Sequence, residues 1–445
     1  MNQNPGRTPR HAFLGLLLII LLGAFLRIDA SLHTEVQFPL RSDAGQYFSY
    51  AFNLRHGGIY SSEPFFAKPE GEGVPRPDAL RSPGYPIALL PFAGEVPSGR
   101  TILNITLMQA LLGILMVPLV FLIARRIVPD KWALLPAALV AVSPQLVNMG
   151  VYILSESLFS FLLLLSIYCM LRQFKAPERS GLALLGGVLI GCAALTRPTL
   201  QYLLPLVLLA MLPLLPGKAR WRQAGLMSIG FLGVFLPWIA RNLITLGVTS
   251  DPTLSIETVV FGHYPNMMYP GLPESMGYPY RFDPQIGELS ASMGAALHGI
   301  WQRFVDAPAL YARWYLLGKP LAFFSWGDVA SAGDIFTYPT MSSPYYGVPL
   351  FTVSKLIMEY SHYLWVGLAL LVTVACALPS MRGRIRAAHR IPLQLLACVV
   401  VYFTAIHVVG FPIARYCIPL LPVIFILATY GIVALIEARS GQANQ

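Results

Sequence analysis

Apolar residues run along the chain in long blocks that are separated by short polar stretches. A helix that spans a bilayer needs about 20 such residues. Ten blocks approach this length, at residues 12–29, 101–124, 132–149, 154–171, 181–196, 199–216, 224–245, 353–378, 391–410 and 415–436. The pattern predicts an all-α polytopic membrane protein, built as a bundle of about ten transmembrane helices.

Basic residues are concentrated in every second connection between these blocks. If the N-terminus is cytoplasmic, the cytoplasmic pieces carry sixteen basic residues: Arg7, Arg10, Arg125, Arg126, Lys131, Arg172, Lys175, Arg179, Lys218, Arg220, Arg222, Arg382, Arg384, Arg386, Arg390 and Arg439. The three short turns on the other side carry only Arg197 and Arg415. Because cytoplasmic loops are enriched in Lys and Arg, we expect both termini to be cytoplasmic, in a bacterial-type inner membrane.

The first apolar block could instead be a signal peptide, since it follows Arg7 and Arg10. It is long for the apolar part of such a peptide, and no small-x-small cleavage site follows it. The pattern therefore favours an uncleaved first span.

Two long segments lie on the predicted outer side and divide the chain into three parts. The parts are residues 1–246, a transmembrane module with a first outer loop at 30–100; residues 247–352, an irregular outer segment; and residues 353–445, the C-terminal spans. In the first loop, residues 43–55 predict an amphipathic helix at the membrane interface, with Asp43 at its start. In the second segment, residues 300–324 predict a helical stretch that lies along the membrane surface.

The composition agrees with a bilayer environment. Hydrophobic residues make up 56% of the chain and charged residues 12%, and the mean hydropathy is +0.61, whereas soluble domains are about 25% charged. In a soluble protein, a net charge of +10 would suggest nucleic-acid binding, but here most basic residues lie between apolar blocks, so we expect no nucleic-acid partner. The five cysteines all fall within or beside apolar blocks and are interpreted as packing residues.

Six ionisable residues from separate segments fall on the predicted outer side. They are Asp43, Arg81, Glu156, Arg197, Arg241 and Arg415. The planar guanidinium of arginine suits bidentate binding of phosphate, and a carboxylate is a common base for a hydroxyl nucleophile. Each residue also has a structural interpretation, because the carboxylates could cap helices and the arginines could contact lipid headgroups. It is their clustering that favours a site.

Motifs of other enzyme classes are absent from the sequence. It contains no GxxxxGK[ST] phosphate loop, HExxH metal helix or GxSxG nucleophile elbow. Possible metal ligands occur on the outer side: His33, Glu35, Glu63, Glu70, Glu72 and Asp78. Their spacing specifies no metal, and solvation of a loop explains them as well.

An ordered set of short elements carries a family resemblance over residues 12–250 and 410–436. The elements are Asp43 with Tyr47; Arg81 to Pro86, which includes Pro-Gly-Tyr-Pro; Ser155-Glu156; Ala-Leu-Thr-Arg-Pro ending at Pro198; Pro237-Trp238 with Arg241-Asn242; and Arg415-Tyr416 with Pro419 and Pro422. In these elements the chain resembles the GT-C superfamily of integral-membrane glycosyltransferases. It is most similar to the bacterial members related to protein O-mannosyltransferases and lipid A aminoarabinose transferases, in glycosyltransferase family 39.

This resemblance implies a polyprenyl-phosphate sugar donor that is used outside the cytoplasm. It implies that Asp43 is the catalytic carboxylate and that Arg81 contacts the donor phosphate. Many members have an acidic residue directly after the aspartate, where this chain has Ala44. That difference weakens the case for a divalent metal, and no other cofactor is required because the lipid-phosphate bond already activates the sugar.

The resulting hypothesis is an inverting transfer of a sugar to an acceptor hydroxyl. Asp43 acts as general base, Glu156 orients the acceptor or the sugar, and Arg81, Arg197 and Arg415 stabilise the departing phosphate. The expected substrate-binding residues are Tyr47, Tyr85, Arg241 and Tyr416. The acceptor, whether lipid, protein or glycan, stays open. The alternatives are a transporter or lipid flippase, which usually shows hydropathy repeats and charges at mid-membrane, and a non-catalytic assembly scaffold.

Overall fold

The computed structural model describes residues 10–67, 73–175, 179–211, 213, 217, 219–327, 338–383 and 385–442. Seven helices in this part of the chain are long and apolar enough to cross a membrane. They are α1 (Arg10–His33), α4 (Gly99–Ala124), α7 (Glu156–Lys175), α10 (Ala219–Leu246), α16 (Pro349–Ala377), α18 (Ala387–Val409) and α19 (Leu421–Gln442). The prediction of an all-α polytopic membrane protein is confirmed.

The other three predicted spans are shorter helices. They are α5 (Asp130–Val142), α8 (Ser180–Thr196) and α9 (Leu203–Met211). The predicted single span at 132–149 is wrong, because α5 ends before Ser143 and a separate short helix, α6 (Pro144–Asn148), follows. Pro144 has no N–H to continue the helix ladder, and the Ser143 hydroxyl caps α6 instead. Of the predicted 199–216 span, residues 212 and 214–216 lie outside the described residues.

Arg27 stabilises the break between α5 and α6 from inside the bundle. Its guanidinium donates hydrogen bonds of 2.9 Å and 2.7 Å to the carbonyl oxygens of Ala141 and Val140, at the end of α5. The side chain is buried, with 2% of its surface exposed. Helix-end carbonyls need partners in a region without water, so Arg27 supplies the bonds that a continuous helix would have made.

Helices α8 and α10 cross at very short range because glycines face the contact. A Cβ atom on Gly187 would lie 2.0 Å from the carbonyl oxygen of Met227, and one on Gly230 would lie 2.3 Å from that of Leu184. Small residues of this kind let transmembrane helices pack backbone to backbone. The crossing matters for the site because α8 ends at Thr196, directly before Arg197.

Contacts between helix ends agree with the predicted alternation of the spans. The Gln173 amide donates to Gln223 at 3.1 Å, joining the end of α7 to the start of α10. Arg386 and Glu437 form an ion pair of 3.1 Å between the connection before α18 and the end of α19. Both contacts join ends that the sequence pattern puts on the cytoplasmic side.

The two predicted outer segments are tied together by a small sheet. Strand β1 (Glu35–Val36) pairs antiparallel with β2 (Thr340–Ser342), with Glu35 opposite Ser342 and Val36 opposite Thr340. The first segment also contains α2 (Asp43–Gly57) and α3 (Gly84–Leu89). The predicted helix at 43–55 is therefore present and begins at Asp43 as expected. Its Tyr47, Phe48 and Ala51 are buried in the protein.

The second outer segment is more helical than its sequence suggests. It contains α11 (Thr253–Gly262), α12 (Ile286–Leu289), α13 (Met293–Asp306), α14 (Pro308–Arg313), a π-helical turn (Trp314–Gly318) and α15 (Lys319–Phe323). The predicted helical stretch at 300–324 thus exists, with an interruption at Ala307. A last short helix, α17 (Pro379–Arg382), lies between α16 and α18.

Lys319 fastens this segment to the bundle. Its ammonium group donates hydrogen bonds of 2.8 Å and 2.9 Å to the carbonyl oxygens of Val408 and Gly410, at the end of α18. The side chain is fully buried. Because the last carbonyl groups of a helix need hydrogen-bond partners, Lys319 both caps α18 and fixes the outer segment over it.

Candidate active site

Asp43 and Arg81 form the ion pair at the centre of the candidate site. Asp43 is the first residue of α2, and Arg81 lies in the loop between α2 and α3. The Nη2 atom of Arg81 is 2.7 Å from Oδ1 of Asp43, and its Nε donates to Oε1 of Gln46 at 2.8 Å. Asp43 and Gln46 are one turn apart on α2, so the helix offers two oxygens to one guanidinium.

Glu156 joins two arginines from opposite ends of the sequence. Its Oε1 atom lies 2.9 Å from Nη1 of Arg197 and 2.6 Å from Nε of Arg415. Glu156 opens α7, Arg197 follows α8, and Arg415 lies in a 3₁₀ turn (Ala414–Leu420) that leads into α19. Only 2% of the Glu156 side chain is exposed, so both charges of each pair are held in a largely dry environment.

Arg415 connects these two groups. Its Nη2 atom lies 3.7 Å from Oδ2 of Asp43, which makes one cluster of Asp43, Arg81, Glu156, Arg197 and Arg415. With these side chains ionised, the cluster carries three positive and two negative charges. The net positive charge and the three guanidinium groups suit a phosphate-bearing ligand. The five residues that the sequence assigned to catalysis and phosphate binding are therefore together in space.

Tyrosines form one side of this cluster. The Arg81 guanidinium lies 5.4 Å from the ring centre of Tyr47, and that of Arg197 lies 4.9 Å from the ring centre of Tyr416, both within cation–π range. Tyr47 also meets Tyr85 edge to face at 5.0 Å. Tyr85 is fully buried and donates a 2.8 Å hydrogen bond to Gln109, so it supports Tyr47 from behind.

Arg241 lies apart from the cluster. It donates hydrogen bonds of 2.8 Å to the carbonyl oxygen of Asp78 and 3.1 Å to that of Tyr60. With Tyr60 and Trp238 it also lines a pocket of about 600 Å³ between the first outer loop and the ends of α8 and α10. The other lining residues are mostly apolar, so this pocket combines an apolar wall with the guanidinium group of Arg241.

Gly84 brings the first loop against the turn that carries Arg197. A Cβ atom at this position would lie 2.7 Å from the backbone nitrogen of Thr196, so only glycine fits without displacing one of the two segments. The Pro-Gly-Tyr-Pro element thus sets the distance between the loop of Arg81 and the end of α8.

Comparisons with known proteins decide the fold. The model of the dolichyl-phosphate-mannose-protein mannosyltransferase family matches residues 90–264. The archaeal oligosaccharyltransferase AglB from Archaeoglobus fulgidus, solved with an inhibitory peptide and a dolichol-phosphate, superposes with a TM-score of 0.55 at 13% identity, covering 98% of this chain and 52% of that one. ArnT from Cupriavidus metallidurans, bound to undecaprenyl phosphate, gives a TM-score of 0.50 at 12% identity, covering 96% and 61%.

This is a GT-C fold. The resemblance to the GT-C superfamily that the sequence indicated is confirmed. Among curated proteins, an undecaprenyl phosphate-alpha-4-amino-4-deoxy-L-arabinose arabinosyl transferase from Pseudomonas aeruginosa is 28% identical over 337 residues, which are 72% of this chain and 56% of that protein. The chain therefore spans about half the length of this relative.

Two residues that interact electrostatically with the cluster come from the outer segment, and no sequence pattern indicated them. Tyr338 is 5% exposed; burial raises its pKa, with a lowering contribution from Arg415 and raising ones from Asp43 and Glu156. Glu257 of α11 is half-buried; burial raises its pKa, and Arg81 opposes that rise. Both lie in a region rich in Tyr, Pro and Gly without periodicity, so only the fold brings them to the site.

A metal ion does not fit beside Asp43 in this chain. Asp43 already faces the guanidinium groups of Arg81 and Arg415, and a divalent cation there would be repelled by both. Within the described residues, no group of three or more His, Cys, Asp or Glu could hold a metal ion. Glu70 and Glu72, two of the ligands considered from the sequence, lie outside the described residues.

Proposed function

We propose that the protein transfers a sugar from a polyprenyl-phosphate donor to an acceptor hydroxyl on the extracytoplasmic face of the membrane. The single observation that carries this proposal is the cluster that joins Asp43 and Glu156 to three arginines. The named relatives act on, or were solved with, undecaprenyl phosphate or dolichol-phosphate. These matches are to transferases and give no support to a transporter.

The geometry suggests separate roles for the two carboxylates. Oδ1 of Asp43 is engaged by Arg81 at 2.7 Å, whereas Oδ2 lies 3.7 Å from Arg415, beyond hydrogen-bond length. Oδ2 is therefore the oxygen available to an acceptor hydroxyl, and 29% of the Asp43 side chain is exposed. Glu156 is buried, and its role is to hold Arg197 and Arg415 in place.

The proposed reaction is a single displacement with inversion. The acceptor oxygen bonds to the anomeric carbon as its proton passes to Asp43, and the bond from that carbon to the phosphate oxygen breaks. The lipid phosphate leaves with the electron pair, and Arg81, Arg197 and Arg415 stabilise its charge. Fixed donors aimed at developing charge are commonly the largest contribution to such a reaction.

The apolar pocket beside Arg241 provides a route for the donor lipid. Its walls include Leu54, Ile87 and Val234, and its volume is about 600 Å³. We assign the isoprenoid chain nearest the phosphate to this pocket, with Arg241 at its polar side. The excess of basic residues on the opposite side of the bundle supports cytoplasmic termini and an outward-facing site.

Substitution of Asp43 tests the proposal. A strain that lacks the gene is complemented with the wild type, with Asp43→Asn, or with Asp130→Asn, and its envelope glycans and lipids are compared by mass spectrometry. Asp130 is a matched control because it also pairs with an arginine, Arg125, at 3.0 Å. We expect Asp43→Asn to lose the product at a normal protein level while Asp130→Asn restores it. Wild-type product from Asp43→Asn would overturn the proposal.

A further inference from the structure

Two buried tyrosines hold the main chain of Arg81. The Tyr50 hydroxyl accepts a 3.2 Å hydrogen bond from the backbone N–H of Arg81, and the Tyr60 hydroxyl donates one of 3.0 Å to its carbonyl oxygen. The rings stack with their centres 4.1 Å apart, and the exposed fractions of Tyr50 and Tyr60 are 0% and 5%. The backbone N–H and the carbonyl oxygen of Arg81 are thus both hydrogen-bonded to tyrosine hydroxyls.

Asp78 closes this arrangement into a unit. Its carboxylate accepts a hydrogen bond from the Tyr50 hydroxyl and two of 2.7 Å from the backbone N–H and hydroxyl of Ser62. It also accepts one from the backbone N–H of Leu80 at 3.1 Å. We call Tyr50, Tyr60 and Asp78 the Arg81 clamp, because they fix the loop on both sides of that residue.

One member of the clamp, Tyr50, lies on the same helix as Asp43. Asp43, Gln46 and Tyr50 follow each other at helical spacing along α2; the first two bind the side chain of Arg81 and the third binds its backbone. A displacement of the loop that carries Arg81 would therefore move its guanidinium group away from Asp43.

Arg241 links the clamp to the apolar pocket. It bonds to the carbonyl oxygens of Asp78 and Tyr60, and its guanidinium lies 5.4 Å from the Tyr60 ring centre and 5.3 Å from that of Trp238. A ligand in the pocket would touch Tyr60, Trp238 and Arg241 directly, and Tyr60 itself bonds to the carbonyl oxygen of Arg81.

We propose that Tyr50 and Tyr60 are positioning residues that set Arg81 against Asp43, and that Arg241 makes their geometry sensitive to a lipid in the neighbouring pocket. The inference deepens the proposed function and rests on it. An ordinary core tyrosine would contribute stability alone. The hydroxyl groups of Tyr50 and Tyr60 also position the guanidinium of Arg81, which binds phosphate. Their loss therefore lowers turnover more than it lowers stability.

The test removes only the hydroxyl groups. Tyr50→Phe and Tyr60→Phe are compared with Tyr264→Phe, a control in which another buried phenol loses its 2.6 Å bond to a carboxylate, that of Asp283. Turnover of a polyprenyl-phosphate sugar, binding of undecaprenyl phosphate and the thermal midpoint are measured. We expect all three variants to lose similar stability, but only the clamp variants to lose turnover, by about tenfold or more.

A double-mutant cycle shows whether the effect passes through Arg81. In an Arg81→Ala background, Tyr50→Phe should lower turnover or lipid binding by less than about twofold, because the group it positions is gone. Fully additive effects, or wild-type turnover in Tyr50→Phe, would overturn the inference.

Hydrogen–deuterium exchange of the peptide that contains Arg81 separates the two proposals. If the wild type turns over no polyprenyl-phosphate sugar, the proposed function fails. Tyr50→Phe should nevertheless speed exchange at the Arg81 amide, and Tyr264→Phe should not. Unchanged exchange in Tyr50→Phe would show that the clamp does not hold the loop, whatever the reaction.

Discussion

Asp43 and Arg415 lie 3.7 Å apart, although one opens the first outer helix and the other precedes the last span. The contact brings the two halves of the candidate site together, since Asp43 binds Arg81 and Arg415 binds Glu156. The charge balance of the whole cluster therefore depends on residues from four separate segments.

Glu156→Gln should weaken both the fold and the reaction. The change leaves Arg197 and Arg415 buried without their shared carboxylate, and breaking a buried pair costs about 3 to 5 kcal/mol. We expect a lower thermal midpoint and at least about tenfold slower transfer, measured on purified protein in nanodiscs. Glu437→Gln is the control, because its pair with Arg386 is exposed and should contribute little. A Glu156→Gln protein with wild-type stability and rate would contradict this account.

Gly187→Ala should disturb the crossing of α8 and α10. The new methyl group would lie 2.0 Å from the Met227 carbonyl oxygen, and overpacking of this kind costs about 1 to 3 kcal/mol. Gly225→Ala, on α10 with nothing within 4 Å of the new atom, should be neutral or stabilising. Thermal midpoints of the two variants compare these effects. Equal midpoints would mean that the helices separate easily at Gly187.

Removal of divalent metal should leave transfer unchanged. The guanidinium groups of Arg81 and Arg415 already neutralise Asp43, so the proposed reaction needs no Mg²⁺ or Mn²⁺. Initial rates are measured after dialysis against EDTA, with and without added metal. A rate that falls on chelation and returns with one cation would require a metal ligand set that the described residues do not form.

Lys319 should make stability depend on pH in the alkaline range. Burial lowers its pKa to about 7, whereas an unfolded lysine has a pKa of about 10.4. Between these values the unfolded chain binds the additional proton, so the contribution of Lys319 to stability rises from pH 7 to about pH 10. The thermal midpoint of the wild type should therefore gain on that of Lys319→Met over this interval. Lys131→Met, a change at an exposed lysine, should show no such trend.

The surface of α13 should contact lipid. Leu297, Trp301 and Val305 recur at helical spacing and are 57%, 61% and 54% exposed, while Arg303 of the same helix turns inward to pair with Asp283 at 2.7 Å. Brominated lipids should quench a fluorophore at Leu297→Cys or Val305→Cys, in a chain without the native cysteines, more strongly than one at Glu288→Cys. Equal quenching at all three positions would refute the predicted surface location.

The sequence alone predicts that the charged residues of the cluster lie on one side of the membrane, and it does so for a physical reason. Glu156, Arg197 and Arg415 each lie at the end of an apolar block, and Asp43 lies in the outer loop that follows the first block. The alternation of spans puts all four on one side of the bundle. Arg241 shows the limit of this argument, because the same rule puts it on that side yet its bonds go to the backbone of the first loop. Membrane topology specifies depth, but it does not specify neighbours.

Other features depend on contacts that no local pattern encodes. Gln46 is a neutral amide on a helix that already has Asp43, and only the path of the loop brings Arg81 to it. The break at Ser143 relies on Arg27, a residue far away in sequence. Tyr338 reaches the site because strand β2 pairs with β1. Each case needs the tertiary arrangement before the residue acquires a role.

The pairing of Glu35–Val36 with Thr340–Ser342 also determines how this protein can be recombined with its relatives. A chimera that exchanges residues 247–352 alone would bring a foreign strand to the first loop, next to Arg41, whose guanidinium lies 5.2 Å from the Tyr338 ring centre. Grafts should therefore carry residues 34–41 and 338–346 together. If the outer segment determines acceptor preference, both pieces would have to be exchanged together to transfer that preference between homologues.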